Sequence, residues 1–188
     1  MKKVLIDVDE VICDTTFLYY MNEFLNTNYK LDDFDTYYLD EIIPDNKKEA
    51  FYDFYISHDV YEKANLLEGA YEGLKILNDK FDVYLYSSCI MFNREKESGK
   101  LFADKYNFII NKLPFIKPEN IVFTNTKNMM VGDIQIDDRM KNLLGPTTTK
   151  ILFTAYHNKN ISDEELKQKN IHRVNNWKEL VSFLESNN

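Results

Sequence analysis

The sequence has little glycine, proline and cysteine, and each shortage excludes a class of protein. Five glycines and four prolines in 188 residues are too few for a disordered or low-complexity chain, and a hydrophobic share of 44% can fill a sizeable core. The two cysteines, Cys13 and Cys89, match no metal-binding or redox spacing. Because neither a signal peptide nor an apolar run of about eighteen residues is recognisable, we expect a cytoplasmic protein with no membrane partner.

Positive charge is also scarce. The net charge is −8, from 23 basic and 31 acidic residues, and the basic residues form no stripe. A nucleic acid polymer is therefore excluded as the expected partner, because proteins that bind one neutralise its phosphates with clustered Lys and Arg. A small phosphorylated molecule remains compatible, since a few lysines in a cleft can offset local charge. The histidines His58, His157 and His172 form no cluster, and the sequence assigns them no role.

What the chain does contain is a series of short apolar runs separated by helical stretches. The predicted strands are Val4–Val8, Val83–Tyr86, Ile121–Phe123, Met130–Ile136 and Ile151–Phe153. The predicted helices between and after them are Ala70–Asp79, Lys100–Asn111, Glu164–Lys169 and Asn176–Glu185. This alternation predicts an α/β fold with a doubly wound, mostly parallel sheet.

One region interrupts the alternation. Residues 15–67 contain no convincing strand, two helical stretches (Thr16–Leu25 and Lys47–Ile56) and many Tyr and Phe residues. A segment of this length is too long for an ordinary loop. We therefore predict a helical cap over 15–67, inserted into a core formed by 1–14 and 68–188. The cap aromatics would form the cap's own core or stack on a substrate, and the sequence alone leaves both open.

Two of the predicted strands end in paired carboxylates. Asp7 and Asp9 end the first, and the adjacent Asp137 and Asp138 end the fourth. Acids at the end of a buried strand are costly unless they reach the crevice where α/β proteins bind ligands. If the two strands are neighbours, the acids would repel one another unless a cation intervenes, and oxygen ligands suit Mg²⁺. Either pair alone would be compatible with a helix cap or with solvent exposure.

Two further features strengthen the prediction of a phosphate site. Ser87 and Ser88 follow the strand at 83–86, where a hydroxyl would hold a phosphate oxygen. Lys127 lies between the third and fourth strands and would neutralise both a carboxylate and a phosphate. Taken singly, each is equally well a turn serine or a surface lysine.

Together these residues resemble the haloacid dehalogenase (HAD) superfamily of phosphohydrolases. Its four motifs match in order: Asp7 to Val11, then Ser87, then Lys127, then the pair Asp137 and Asp138. The stretches 7–14, 85–90, 123–127 and 136–139 are similar to a narrower group, the 5'(3')-deoxyribonucleotidase family. The resemblance implies a HAD-like Rossmannoid core with a helical cap between the first and second motifs.

The resemblance also implies roles for individual residues. Asp7 would be the nucleophile, Asp9 the acid and base, and Lys127 the charge-stabilising catalytic lysine. Mg²⁺ would be held by the Asp7 carboxylate, the Asp9 backbone carbonyl and Asp138, with Asp137 in support. Ser87, Ser88 and a second lysine would bind the substrate phosphate, and Lys100 is the position that matches this lysine. This chain departs from the family at Glu10, Ser87 and Cys89, where the family usually has Gly, Thr and Pro.

The sequence thus predicts an Mg²⁺-dependent phosphomonoester hydrolase that forms an aspartyl-phosphate intermediate and acts on deoxyribonucleoside monophosphates. One alternative is a HAD phosphatase for another small phosphomonoester, such as a sugar phosphate. A second, of a different class, is a non-catalytic HAD-fold binding module, which the complete motif set disfavours. A homodimer is compatible with the family, although the sequence specifies no oligomeric state.

Overall fold

Short runs of β-branched and large apolar residues form the strands, because both faces of each strand are covered. The computed structural model describes residues 1–91 and 93–187, and six strands lie in these parts of the chain. They are β1 (Lys3–Ile6), β2 (Asp82–Ser87), β3 (Ile121–Phe123), β4 (Ile134–Asp137), β5 (Thr149–Phe153) and β6 (Ile171–Val174).

All six strands pair in parallel, in the order β3-β2-β1-β4-β5-β6. The chain builds the sheet outward from β1 to β3, then returns to the other side of β1 and continues to β6. The strand order therefore reverses between β1 and β4, and such a switch point opens a crevice at the carboxyl ends of the strands.

Six α-helices lie between and after these strands in the described parts of the chain. They are α1 (Phe17–Leu25), α2 (Asp45–Ser57), α3 (Ala70–Lys80), α4 (Ser98–Lys112), α5 (Asp163–Gln168) and α6 (Trp177–Ser186). The main hydrophobic core contains residues of α3, α4 and α6 together with Ile151 and Phe153 of β5, whereas Leu152 packs with Leu166 of α5. Since successive strand residues point to opposite faces, the sheet is covered on both faces, and the predicted doubly wound α/β fold is confirmed.

Two strand predictions need correction. The predicted strand Met130–Ile136 begins only at Ile134, and Val131 is 66% exposed, because the chain joins the sheet after a bend at Asp133. The sixth strand was not predicted. Its central residues are the polar His172 and Arg173, as expected at a sheet edge where only one neighbour covers the strand, so the apolar signal is weak.

The inserted segment is helical in the structure, with α1, α2 and the short 3-10 turns Leu31–Asp33 and Leu39–Ile42. It has a hydrophobic cluster separate from the main core, formed by Leu18, Met21, Leu39, Ile43 and Phe51. We therefore keep the division into a core (1–14 and 68–188) and a cap (15–67) as a proposal, supported by this separate cluster.

Among the helices of residues 1–91 and 93–187, none combines the length and the apolar character that crossing a membrane would need.

Candidate active site

Three neighbouring strands end in polar side chains at one edge of the sheet. Asp7 follows β1 directly, Ser87 is the last residue of β2, and Asp137 is the last residue of β4. Because β1 lies between β2 and β4 in a parallel sheet, these side chains meet at the same crevice. The fold thus brings together three of the four motifs that the sequence places far apart.

Asp7 is buried and paired with a lysine. Lys127 Nζ lies 2.5 Å from Asp7 Oδ2, and the backbone NH of Val8 donates to Asp7 Oδ1 at 2.7 Å. Burial raises the pKa of Asp7 well above its ordinary value, although Lys127 opposes this effect. Burial alone would lower the pKa of Lys127, but Asp7 and Asp137 outweigh it and raise that pKa above its ordinary value. The lysine therefore stays protonated beside the predicted nucleophile.

Asp7, Asp137 and Asp138 form a cluster of buried carboxylates, in which each offers one oxygen within 4.8 Å of the others. Burial raises the pKa of Asp138 well above its ordinary value, and repulsion by Asp137 adds to this effect. Lys127 pairs with Asp7 and also lies 3.4 Å from Asp137. When all three carboxylates are ionised, the single ammonium of Lys127 leaves two negative charges uncompensated, which is why burial and repulsion raise these pKa values. The oxygen-only ligand set and this residual charge fit a divalent cation such as Mg²⁺.

Within this cluster, protein groups occupy both oxygens of Asp137. Tyr86 Oη donates to Asp137 Oδ2 at 2.7 Å, while Asn142 Nδ2 and the backbone NH of Arg139 donate to Oδ1 at 2.9 and 2.8 Å. Gln135 Nε2 in turn donates to the Tyr86 hydroxyl at 3.2 Å. These three donors hold Asp137 in place and favour a supporting role for it. Tyr86 lies in the stretch 85–90 that resembles the family, but the sequence assigned it no role.

Asp9 belongs to a second group of polar side chains. Lys105 Nζ lies 2.6 Å from both Asp9 Oδ2 and Ser87 Oγ, and Tyr61 Oη donates to Asp9 Oδ1 at 2.6 Å. Burial acts to raise the pKa of Asp9, but Lys105 and Tyr61 outweigh it, so that the pKa lies below its ordinary value. In the free protein Asp9 is therefore held as a carboxylate.

The lysine that joins this group is Lys105 and not Lys100, the residue indicated by the sequence. Lys100 Nζ points instead to Asp104 Oδ2, at 2.6 Å, and to the backbone carbonyl of His58. Five residues along a helix correspond to a rotation of about 140°, so the two lysines cannot share a face. Lys105 is only 2% exposed and lies on the same face of α4 as Leu101 and Ile109. A lysine within an apolar helical stripe is the sequence signal that would have identified it.

Ser88, the other predicted phosphate ligand, lies at the edge of the site. Its hydroxyl bonds to the side-chain oxygen of Asn125, and its backbone carbonyl accepts from Lys105 Nζ at 2.9 Å. Both Ser88 and Asn125 line the same cavity as Asp7. The structure thus brings every predicted site residue except Lys100 to this crevice.

The cavity above these residues has a volume of about 950 Å³ and is covered by the cap. Its upper wall is rich in aromatic side chains, namely Phe17, Tyr37, Tyr38, Tyr52, Tyr55 and Tyr156. Two arginines of the core hold cap residues at its rim. Arg139 stacks on the Tyr37 ring at 3.6 Å, and Arg94 forms ion pairs of 2.5 Å with Glu49 and Asp53 of α2.

Glu10, where the resemblance suggests Gly, has a left-handed backbone with φ of 59°. A side chain is strained in this conformation, and Gly is not, which explains the preference of the family. Glu10 Oε1 accepts from the backbone NH of Thr15 at 2.9 Å. Burial nevertheless raises the pKa of Glu10 to about 7. The extra carboxylate lies on the cavity wall next to Asp9.

His157 has a place at the site that the sequence did not reveal. Its Nε2 lies 2.7 Å from Asp138 Oδ2, and the ring is buried. Burial lowers the pKa of His157, so the neutral ring with a proton on Nε2 would donate to the Asp138 carboxylate. No periodic or motif signal marks His157, because only the short 3-10 turn after β5 brings it to β4.

Known proteins resemble this chain over its full length. A family model described as 5' nucleotidase, deoxy (pyrimidine), cytosolic type C protein matches residues 1–186. A 5'(3')-deoxyribonucleotidase of Bacillus subtilis (strain 168) is 29% identical over 183 residues, which are 96% of this chain and 97% of that protein. A 5'(3')-deoxyribonucleotidase of Bacillus phage SPbeta has the same identity and coverage.

Among solved structures, a HAD family hydrolase of Deinococcus radiodurans R1, solved with bound phosphate and sodium, has a TM-score of 0.64. It is 15% identical, and the match covers 99% of this chain and 96% of that one. At this identity the likeness concerns the fold alone, and it agrees with the α/β fold described above.

Proposed function

We propose an activity for this chain from the premise that it belongs to the family of cytosolic type C deoxy (pyrimidine) 5' nucleotidases. The chain is a phosphatase of the nucleotidase type, and its proposed reaction is the Mg²⁺-dependent hydrolysis of deoxyribonucleoside monophosphates through an aspartyl-phosphate. The observation that carries the proposal is the buried Asp7–Lys127 pair beside Asp138, on the floor of an aromatic-lined cavity.

The metal would be held by the carboxylates of Asp7 and Asp138 and by the backbone carbonyl of Asp9, with Asp137 in support. When bound, Mg²⁺ supplies charge that lets an anionic nucleophile approach an anionic phosphate. Lys127 contributes to the same end, because its ammonium already neutralises Asp7 and would remain beside the phosphoryl group.

The proposed reaction has two steps, and Asp9 transfers one proton in each. Asp7 attacks phosphorus, the bond from phosphorus to the ester oxygen breaks, and Asp9 gives that oxygen a proton. Water then attacks phosphorus, the bond to Asp7 breaks, and Asp9 takes the proton of the water. Because Lys105 holds Asp9 as a carboxylate in the free protein, we propose that Lys105 and Ser87 turn to the phosphoryl oxygens when substrate binds. Asp9 then takes up a proton from solvent, gives it to the ester oxygen in the first step and regains one from the attacking water in the second.

The proposed substrate is supported by the family and by the cavity wall. Related proteins of similar length are named 5'(3')-deoxyribonucleotidases. The aromatic residues of the cap offer flat apolar surfaces on which a nucleobase would stack. We propose a small nucleotide in a cytoplasmic setting as the partner, and the homodimer stays a prediction.

The test is phosphate release by purified protein with Mg²⁺ from a panel of deoxynucleoside monophosphates, nucleoside monophosphates and sugar phosphates. We expect the highest kcat/KM with deoxynucleotides. Release from sugar phosphates alone would overturn the substrate assignment and leave the chemistry standing. No release from any compound would contradict the enzymatic function and favour the binding-module alternative.

Asp7→Asn is the blank for this panel. We expect it to fold and to release no phosphate, because an amide is a poor nucleophile while its shape fits the same space. Near-native turnover by a variant with an unchanged melting temperature would remove Asp7 from the nucleophile role.

A further inference from the structure

Asp9 is held from two sides, and the two sides differ in chemistry. Its Oδ2 faces Lys105 and Ser87, two groups suited to a phosphate, at 2.6 and 3.4 Å. Its Oδ1 accepts from a neutral donor, the hydroxyl of Tyr61, at 2.6 Å. A bound substrate phosphate would compete with Asp9 Oδ2 for Lys105 and Ser87. It would not compete for the Tyr61 hydroxyl, which contacts Oδ1.

Tyr61 is fixed by its surroundings before any substrate arrives. Its ring packs on Phe108 of α4, with a centroid distance of 5.4 Å, and Lys105 Nζ lies 5.4 Å from the ring centroid. Its backbone NH donates to Asp59 Oδ1 at 3.0 Å. A donor that is held in this way needs little further ordering to keep a carboxylate oriented.

The backbone before Tyr61 is fastened as well. The hydroxyl of Tyr20 donates to the carbonyl of Asp59 at 2.9 Å, and the hydroxyl of Thr16 donates to the carbonyl of Val60. Both donors lie on or beside α1 of the cap. The segment that leads from the cap back to the core therefore carries the Tyr61 hydroxyl into the site at a defined position.

We propose that Tyr61 is a positioning residue for the proton transfers of Asp9, an inference that rests on the proposed function. Tyr61 holds Oδ1 throughout the reaction, so that Oδ2 faces the ester oxygen once Lys105 and Ser87 turn to the phosphate. The hydroxyl of Tyr61 keeps its own proton, and the proton that reaches the leaving oxygen comes from Asp9.

The test compares two leaving groups in Tyr61→Phe, which keeps the ring and removes the hydroxyl. A deoxynucleoside 5'-phosphate releases an alkoxide that needs a proton, whereas p-nitrophenyl phosphate releases a stable phenolate that does not. We expect kcat/KM to fall about tenfold to a hundredfold on the nucleotide, the effect of losing a hydrogen bond to a charged group, and about twofold or less on p-nitrophenyl phosphate. The parameter kcat/KM is chosen because it reports the steps up to departure of the leaving group.

Tyr20→Phe is the matched control. It removes one of the two hydroxyls that fasten the segment before Tyr61 but does not touch Asp9. Because Thr16 still holds the segment, we expect kcat/KM to change about twofold or less, and equally on both substrates. In an Asp9→Asn background, Tyr61→Phe should cause little further loss on the nucleotide, because two residues that act as one unit are not additive.

Equal losses on both substrates in Tyr61→Phe, or a full further loss in the Asp9→Asn background, would overturn the proposal. A wild-type protein that cleaves neither substrate would instead contradict the proposed function itself. A measurement that does not depend on Tyr61→Phe folding is the ¹⁹F resonance of 3-fluorotyrosine at position 61. We expect this resonance to shift on Asp9→Asn, and an unchanged resonance would remove the contact on which the proposal stands.

Discussion

At the scale of single residues, the site divides its buried charges between two lysines. Lys127 serves the cluster of Asp7, Asp137 and Asp138, and Lys105 serves Asp9. Buried carboxylates are costly without such partners, so each lysine supports the local structure as well as the proposed chemistry. The two lysines approach from different elements, the 3-10 turn Lys127–Met129 and helix α4.

We expect Lys105→Met to lower kcat/KM on a phosphomonoester by about a hundredfold or more, in line with losses of comparable charge-stabilising groups. Lys127→Met should have an effect of similar size. Lys100→Met is the control, because its ammonium contacts Asp104 and not the site, and we expect a loss of about threefold or less. A larger loss in Lys100→Met than in Lys105→Met would instead support Lys100, the residue indicated by the sequence, as the lysine that binds the substrate phosphate.

Glu10 introduces a pH dependence into the stability of the metal-free protein. Its folded-state pKa of about 7 lies above its ordinary value of 4.5, so the folded state binds more protons between these values. The ionised side chain therefore costs stability as pH rises from 4.5 to 7, by about 3 kcal/mol at most. Glu10→Gln removes this cost.

We accordingly expect Glu10→Gln to raise the free energy of unfolding more at pH 8 than at pH 5, measured by urea denaturation in the presence of a chelator. Glu68→Gln, which removes an exposed carboxylate outside the cavity, is the control for the loss of one charge. An equal gain at both pH values would show that ionisation of Glu10 does not lower the free energy of unfolding.

At the scale of elements, the close packing of α3 on α6 depends on a glycine. A Cβ at Gly73 would lie 2.5 Å from Trp177 Cε3 of α6, whereas a Cβ at Gly99 of α4 would meet no atom within 4 Å. Trp177 cannot turn away easily, because it is 1% exposed and its Nε1 donates to the carbonyl of Val11 at 2.7 Å. The helix pair thus also fixes the loop that carries the first motif.

We expect Gly73→Ala to lower the free energy of unfolding by about 1 to 3 kcal/mol through overpacking, despite the better helix propensity of Ala. The same substitution at Gly99 should raise stability by about 0.4 to 1 kcal/mol, because it restricts the unfolded chain without a clash. Chemical denaturation of the two variants measures both values. A gain at Gly73 would mean that the two helices can separate at little cost.

At the scale of the whole molecule, the active site joins the core to the cap. The carboxylates belong to the sheet, but Tyr61 reaches Asp9 from the segment that returns from the cap, and Arg139 stacks on Tyr37 of the cap. Ionising all three carboxylates of the cluster at the centre of this arrangement costs stability in the metal-free protein, because only Lys127 offsets their charge. A bound cation would remove that repulsion and thereby stabilise core and cap together.

We therefore expect Mg²⁺ to raise Tm. At ten times its Kd the stabilisation is about 1.4 kcal/mol, and for a chain of this size Tm rises by about 3 to 6 °C. Asp138→Asn should show a smaller rise, because it removes one proposed ligand, and the exposed change Glu68→Gln should leave the rise intact. Differential scanning calorimetry with Mg²⁺ and with a chelator measures these changes in Tm. An equal rise in wild type and Asp138→Asn would show that Asp138 does not bind the metal.

The sequence by itself determined the fold class, the order of the motifs and the two acidic strand ends. It could do so because apolar periodicity and the positions of Asp7 and Asp137 after apolar runs are local signals. Only the tertiary structure decided that Lys105, and not Lys100, lies beside Asp9 and Ser87, since this depends on which face of α4 meets the sheet. It also decided the contacts of Tyr61, Tyr86 and His157, because these side chains acquire their role from neighbours distant in sequence, and no local pattern records such contacts.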